Sequence, residues 1–108
     1  MDCRHNRVVV DTGSINTGGT DTLVLSDGCT AYRHVLVACH ADGTRAPVRC
    51  KIDGNVAGAA AAGDQIVCSD DGEYEFTPPR NNPLPNKYVH VLGLSDGTLI
   101  TVSRVENV

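Results

Sequence analysis

The stretch that decides the fold runs from residue 88 to residue 105 and reads YVHVLGLSDGTLITVSRV. Two apolar segments with alternating side chains flank Asp96-Gly97. Alternation with a period of two is typical of β-strands, and Asp-Gly is a strong signal for the tight turn that joins two of them. The aliphatic side of this pair holds Val89, Val91, Ile100 and Val102, and the mixed side holds Tyr88, His90, Leu92, Leu94, Leu99, Thr101 and Ser103. Because both sides carry apolar residues, we expect these strands to be central in a sheet or covered by a partner.

The Asp-Gly turn signal recurs along the chain. Asp-Gly also occurs at residues 27–28, 42–43, 53–54 and 71–72. The segments between these turns are short and rich in Val, Thr, Ile and Leu, and none has a convincing helical periodicity. The sequence therefore predicts eight strands, near Arg7–Val10, Thr22–Leu25, Arg33–Ala41, Thr44–Ile52, Gln65–Ser69, Glu73–Thr77, Tyr88–Leu94 and Leu99–Val105.

Two further segments are predicted to be loops from their composition. Residues 12–20 are rich in Gly, Thr, Ser and Asn, and residues 77–87 hold four of the five prolines. Proline cannot donate to a sheet ladder, so residues 77–87 suit a crossover between two sheets. These features predict an all-β fold, a single small antiparallel β-sandwich with a jelly-roll-like arrangement of about eight strands; a small barrel is the alternative. We expect one domain over residues 1–108, with an extended N-terminal arm at residues 1–7.

Composition excludes several classes of function. The 108 residues carry 9 Lys and Arg against 13 Asp and Glu, a formal net charge of −4. A sequence-independent nucleic-acid binder needs a surplus of cations, so we expect no nucleic-acid partner. No apolar run approaches the roughly 20 residues that span a bilayer, and we expect no membrane partner. The surface charge is uneven, because residues 1–54 hold six cations and six acids while residues 55–108 hold three and seven.

The five cysteines predict a reducing compartment. Their number is odd, and the first seven residues contain no apolar segment of the signal-peptide type. We therefore expect no disulfide framework and synthesis in the cytosol. Cys39, Cys50 and Cys68 lie in apolar runs, which favours small buried side chains over reactive thiols.

A basic row is predicted around the turn at Asp42-Gly43. If these two residues form a two-residue turn, Val37 pairs with Val48 and Val35 pairs with Cys50 on an apolar face. The opposite face then collects His34, His40, Arg45, Arg49 and Lys51. This row is either a solvated strand face or a surface that binds an acidic protein partner.

A metal site in the same region is not expected. The possible ligands are His34, Cys39, His40 and Cys50. On a strand the two histidines and the two cysteines point to opposite faces, so the four side chains cannot converge on one ion, and adjacent Cys39 and His40 cannot form a nucleophilic pair. The sequence predicts no metal and no cofactor.

The segment Val8-Val9-Val10-Asp11-Thr12-Gly13-Ser14 resembles the active-site signature of aspartic proteases. The resemblance implies that Asp11 of two copies would share a proton and activate water, as in the dimeric retroviral-type proteases. Val91–Leu94 is similar to the apolar segment that precedes the C-terminal helix of that family, but a turn follows it at Ser95–Thr98. An aspartic protease is therefore kept as an alternative function.

No other catalytic arrangement emerges from the residues, so we expect a binding or structural protein and not an enzyme. The eight short strands, the Asp-Gly turns, the Gly/Thr-rich segment at residues 12–20 and the Ala/Gly/Val-rich composition resemble small capsid decoration (cement) proteins of tailed bacteriophages. The resemblance implies a virion protein, made in the host cytoplasm, that binds the outside of an icosahedral capsid. Its partners would be the major capsid protein and copies of itself. A carbohydrate- or receptor-binding β-sandwich is a further alternative.

Overall fold

The computed structural model describes residues 5–25, 33–53, 64–69, 72–77 and 88–107. These residues form eight strands: β1 (His5–Ile15), β2 (Thr20–Val24), β3 (His34–Cys39), β4 (Val48–Asp53), β5 (Gln65–Val67), β6 (Glu73–Phe76), β7 (Tyr88–Gly93) and β8 (Thr98–Asn107). Every predicted strand overlaps an observed one. Within the described ranges there is no helix, and hence none that could cross a membrane.

The strands form two four-stranded antiparallel sheets that pack together. Sheet 1 has the order β1-β8-β3-β6, and sheet 2 has the order β2-β7-β4-β5. All connections except β4 to β5 pass from one sheet to the other, which gives an eight-stranded jelly roll. The predicted sandwich is confirmed, and the chain does not form the alternative small barrel.

The core lies between the inner faces of the two sheets. Val89, Val91, Ile100 and Val102 are at most 1% exposed, so the aliphatic side predicted for the deciding stretch is confirmed. β7 and β8 are each central in a sheet, but they belong to different sheets and do not pair with each other. The other members of the core cluster are Ile15, Leu23, Leu25, Leu36, Ala38, Val48, Cys50, Val67, Cys68 and Phe76.

The predicted hairpin at Asp42-Gly43 is wrong. The turn contains three residues, because His40 N–H donates to the Thr44 carbonyl (2.8 Å) and Gly43 N–H donates to the His40 carbonyl (2.9 Å). Only Gly43 has a positive φ, 88°, whereas a two-residue type I′ turn needs two such residues. Pairing stops after the bridge between Cys39 and Arg45, since Pro47 has no N–H to continue the ladder.

The strands on either side of this turn therefore separate into different sheets. Val37 pairs with Thr101 of β8 and Glu73 of β6, and the predicted pairs of Val37 with Val48 and Val35 with Cys50 do not form. This separation lets β3 and β4 bury their apolar sides against each other's sheets instead of beside each other.

β1 is longer than predicted. The register with β8 shifts between Val9 and Asp11, which marks a β-bulge, and pairing then continues to Ile15. The predicted loop at residues 12–20 thus shrinks to residues 16–19. Residues 5–7 of the predicted arm belong to β1, and residues 1–4 lie outside the described residues. Of the predicted crossover at residues 77–87, only Thr77 is described; β6 before it lies in sheet 1 and β7 after it lies in sheet 2.

Candidate functional site

The outer face of sheet 2 carries two of the five predicted partner-binding residues. Val48 and Cys50 of β4 point into the core, so Arg49 and Lys51 point outward. Arg49 pairs in register with Leu92 of β7. We call this surface, which holds Thr22, Arg49, Lys51, Ile66, Tyr88, His90 and Leu92, the sheet 2 face. It sets two cations among apolar side chains.

His90 lies at the middle of the sheet 2 face yet is fully buried. It sits in one row with Thr22 and Lys51, its register partners on the two neighbouring strands. The Thr22 hydroxyl contacts its Nδ1 at 3.1 Å, and the Tyr88 ring stacks on it with centroids 6.1 Å apart at 16°. These contacts hold the imidazole in one orientation, so the centre of the face is well ordered. The alternation in the sequence had placed His90 and Tyr88 on one side, but their neighbours depend on strand pairing.

Arg49 is held at the β5 side of the face. Its Nη1 donates to the Asp64 carbonyl at 2.7 Å, and in register it also lies beside Ile66. Ile66 is 48% exposed, which is high for a large aliphatic side chain in a strand. Lys51 is exposed, and Leu92 is half-buried. A positively charged, partly apolar surface of this kind can bind an acidic protein surface by combining charge with apolar contact.

The other three predicted partner-binding residues are elsewhere, and the predicted basic row does not form. His34 belongs to sheet 1, points inward, is fully buried and stacks on Phe76 with centroids 5.8 Å apart. It cannot contact a partner. His40 is half-buried and Arg45 is exposed, both in the connection between β3 and β4 at one end of the sandwich. The cause is the separation of β3 from β4 described above.

His40 takes part in a small polar cluster at that end. Its Nε2 is 3.4 Å from the Ser95 hydroxyl, which is 3.2 Å from the Thr98 hydroxyl. Thr98 donates its own proton to the Ser95 carbonyl at 2.9 Å, so the Ser95 proton goes to Thr98 or to His40. The nearby Asp42 carboxylate accepts from the Thr44 hydroxyl (2.7 Å) and N–H (3.0 Å), which lower its pKa. The cluster fastens the β3–β4 and β7–β8 turns together.

Asp11, the residue of the aspartic protease resemblance, lies inside β1 and is half-buried. Its Oδ1 accepts from Thr12 N–H at 2.9 Å and its Oδ2 accepts from Val24 N–H at 3.0 Å. The carboxylate therefore ties β1 of sheet 1 to β2 of sheet 2. A Cβ at Gly13 would collide with the Asp21 carboxylate, so glycine at this position makes room for Asp21. These contacts give Asp-Thr-Gly a structural role in joining the sheets.

A cleft of about 300 Å³ lies beside the β1–β2 loop. Four hydrogen bonds brace this loop against the β7–β8 turn: Thr17 N–H to Asp96 Oδ1 (2.9 Å), Gly97 N–H to Asn16 Oδ1 (3.0 Å), Gly18 N–H to the Gly93 carbonyl (2.9 Å) and Gly93 N–H to the Gly19 carbonyl (2.8 Å). The bonds from Thr17 lower the pKa of Asp96. The cleft lining is uncharged and consists of Ser14, Ile15, Asn16, Gly19, Thr20 and Gly97. The polar character of this loop was evident from its composition, but the cleft arises from long-range contacts.

No disulfide joins Cys39, Cys50 and Cys68, the three cysteines in the described part of the chain. Cys50 and Cys68 are buried and Cys39 is half-buried. Burial raises the pKa of Cys50 to about 12, with Cys68 and Asp64 adding to the shift, so this thiol is unreactive at neutral pH. Cys68 adopts a positive φ of 63°, and its thiol donates to the Leu36 carbonyl at 3.3 Å. In the described part of the chain no three His, Cys, Asp or Glu side chains are placed to hold a metal ion.

Comparison with protein-family models, with curated proteins and with solved structures gave no match to this chain. Three features of the described residues are therefore candidates for a function: the sheet 2 face, the polar cluster at His40 and the cleft at Ser14.

Proposed function

We propose that the chain is a structural virion protein that decorates the outside of an icosahedral phage capsid and reinforces it. The observation that carries the proposal is the sheet 2 face, where Arg49 and Lys51 lie beside Ile66 and Leu92 on one side of the sandwich. In a chain of net charge −4, two cations on a partly apolar face orient the molecule toward an acidic protein surface. The occupant we assign to this face is the major capsid protein.

The architecture fits this role by analogy. Jelly-roll sandwiches occur in viral capsid proteins and in lectins, although a fold alone does not establish a function. A capsid presents the same surface many times, so many copies, each bound through a modest interface, would together stabilise the shell. Contacts with the buried His90 hold the half-buried Thr22 and Tyr88 side chains in place, so these two side chains lose less entropy on docking.

Co-sedimentation with capsids tests the proposal. The probes are expanded, DNA-free capsids from a panel of tailed bacteriophages, and we expect saturable binding that weakens as salt is raised. Arg49→Glu combined with Lys51→Glu should reduce the affinity by at least about tenfold, which corresponds to 1.4 kcal/mol. Failure to bind any capsid of the panel at saturating protein would refute the proposal.

Arg45→Glu is the matched control, because Arg45 is an exposed arginine at the end of the sandwich and not on the sheet 2 face. Arg45→Glu changes the net charge by the same amount as each of the two substitutions in the double variant. If Arg45→Glu abolished binding while the double variant bound normally, the end of the sandwich would carry the contact instead. Arg49→Glu also removes the hydrogen bond from Arg49 to the Asp64 carbonyl. Lys51→Glu alone therefore tests the effect of charge on binding without the loss of this hydrogen bond.

A second candidate function is carbohydrate binding at the cleft. The favouring observation is its uncharged lining, which includes the hydroxyl residues Ser14 and Thr20 and the aliphatic Ile15. Neutral hydroxyls suit neutral polar ligands, and the volume of about 300 Å³ is at the lower limit of small-molecule sites. A glycan array followed by NMR titration tests it, with Thr20→Ile as the variant that fills the cleft. An array without hits would remove this candidate.

A further inference from the structure

The turn between β7 and β8 carries a serine between two glycines. Residues 93–97 read GLSDG, so Ser95 has a glycine two positions away on either side. Both positions require glycine, because a Cβ at Gly93 would collide with the Asn16 carbonyl oxygen and Gly97 has a φ of +68°. The spacing is that of the G-x-S-x-G turns that expose a nucleophilic serine in many hydrolases, although here the turn joins two strands instead of a strand and a helix.

A histidine lies beside this serine, although it is 55 residues away in the chain. The Nε2 atom of His40 is 3.4 Å from the Ser95 hydroxyl oxygen. This distance is longer than that of an ideal hydrogen bond, but the contact between a nucleophile and its base is often loose before a substrate binds. Both side chains are half-buried, so a small molecule can reach them.

The fully buried Thr98 sets the direction of the serine proton. Its hydroxyl donates to the Ser95 carbonyl at 2.9 Å, and its oxygen lies 3.2 Å from the Ser95 hydroxyl oxygen. Because the Thr98 proton is used in the first bond, Ser95 donates its own proton either to Thr98 or to the Nε2 atom of His40. The serine can therefore turn its proton toward the histidine by rotating its O–H bond, without moving its oxygen.

The two turns that carry this pair are held by hydrogen bonds. In the β3–β4 turn the His40 N–H donates to the Thr44 carbonyl at 2.8 Å. In the β7–β8 turn the Gly97 N–H donates to Asn16 Oδ1 at 3.0 Å. A nucleophile and a base that are already held together lose little entropy when a substrate reacts with them.

Asp42, two residues after His40, adds a negative charge near the imidazole. The hydroxyl and the N–H of Thr44 lower the pKa of Asp42, and the charge of His40 lowers it further, so the carboxylate is ionised at neutral pH. A carboxylate near the ring favours the positive charge that His40 gains when it takes a proton. Because Asp42 is exposed, water screens this effect and keeps it small.

We infer that Ser95 and His40 form a nucleophile and base pair that hydrolyses esters of small carboxylic acids. The Ser95 oxygen attacks the ester carbonyl carbon while His40 takes the serine proton, and His40 gives this proton to the alcohol as the C–O bond breaks. Water then attacks the acyl group and passes a proton through His40 to Ser95, which releases the acid. The exposed Leu94 and Leu99, which flank the turn in the chain, favour an apolar acyl group.

A fluorophosphonate probe tests this pair on the purified chain without any capsid, so its outcome is independent of the capsid proposal. The serine oxygen should displace fluoride from phosphorus, and mass spectrometry should find one phosphonyl group per chain, located on Ser95 by peptide mapping. Labelling should vanish in Ser95→Ala and should be at least about tenfold slower in His40→Gln. The matched control is Ser69→Ala, which removes an exposed serine after β5 and should be labelled like the parent chain.

Hydrolysis of p-nitrophenyl acetate measures turnover. The value of kcat/KM should fall at least about a hundredfold in Ser95→Ala and in His40→Gln. Asp42→Asn should lower kcat by about threefold and leave KM unchanged, since the carboxylate acts on the charge of His40 and not on the bound ester. Circular dichroism verifies the fold of each variant, and labelling of the parent chain requires no variant. An unlabelled parent chain, a label on another residue, or full turnover in Ser95→Ala would overturn the inference.

Discussion

The outer faces of the two sheets differ in where they carry charge. In sheet 2 the cations Arg49 and Lys51 lie on the central strand β4, among Leu92 and Ile66. In sheet 1 the charges of Arg7 and Glu73 lie on the two edge strands and bind each other. The cations of sheet 2 thus lie in the middle of its outer face, whereas the charged ends of Arg7 and Glu73 neutralise each other across the outer face of sheet 1. The outer face of sheet 2 is therefore the one suited to an acidic partner.

The largest expected difference is between the inner and the outer side of sheet 1. Leu36→Ala, on the inner side of sheet 1, should lower the free energy of unfolding by about 2–5 kcal/mol, since it empties a fully buried position. Leu99→Ala, on the outer side of the same sheet, should cost less than about 1 kcal/mol in dilute solution. Urea unfolding monitored by circular dichroism measures both values. If Leu36→Ala and Leu99→Ala lowered the free energy of unfolding equally, the outer side of sheet 1 would be part of the core.

The second expected effect is a loss of stability at alkaline pH that comes from sheet 2. The pKa of Cys50 on the inner side of sheet 2 is raised to about 12 from the ordinary value near 9. Between these values the unfolded chain releases the thiol proton and the folded chain keeps it, so stability falls as pH rises, by up to about 1.4 kcal/mol per pH unit. The Cys50 contribution is fully present below about pH 9.

Urea unfolding at a series of alkaline pH values measures this slope. Cys50→Ala should flatten it. If this variant kept the slope of the parent chain, the alkaline sensitivity would not arise from Cys50 on the inner side of sheet 2.

The smallest effect concerns the junction between the sheets. Thr17 donates to the Asp96 carboxylate and lowers its pKa below the ordinary value near 3.9. A lowered pKa in the folded state contributes stability above about pH 4 and loses it as pH falls through the folded value. When the pH is lowered from about 5 into the acid range, Asp96→Asn should therefore lose less stability than the parent chain. The shift of the urea midpoint with pH measures this loss in both proteins. Asp42→Asn should act in the same direction, because Thr44 lowers the pKa of Asp42. If both variants lost as much stability in acid as the parent chain, the lowered pKa values of Asp96 and Asp42 would not be the cause of that loss.

The sequence predicted the strands, and alternation predicted the inner and outer sides of β4, β7 and β8, because both depend on local order. It reversed the sides of β3, where Leu36 points into the core and the predicted apolar face with Val35 and Val37 points outward. Alternation alone placed Val91 and Ile100 in the core and Arg49 and Lys51 on one outer face. It could not predict pairing, because an Asp-Gly turn joins strands of one sheet or of two. Pro47, whose missing N–H ends the ladder, was the available sign that β3 and β4 separate.

The remaining errors have the same origin. The bulge at Val10 carries β1 beyond its apolar run to Ile15, and only pairing with β8 supports the extra residues. His34 was assigned to the surface because the register of a two-residue turn put Val35 on the apolar face; in the structure His34 points inward, with Arg104 and Phe76 as its register partners. Leu92 and Ile66 reached the sheet 2 face through long-range pairing, so no local pattern could place them beside Arg49.

The pairing of His5 with Asn107 links the first described strand to the last. Because β8 is the only ladder partner of β1 among the described strands, sheet 1 cannot close until β8 has left the ribosome. Contacts between residues so distant in sequence also slow folding, since the intervening chain must be ordered before the pairing is gained. A newly made chain therefore completes sheet 1 only after β8 has emerged, and its long β1 strand has to be kept from pairing with other sheets until then.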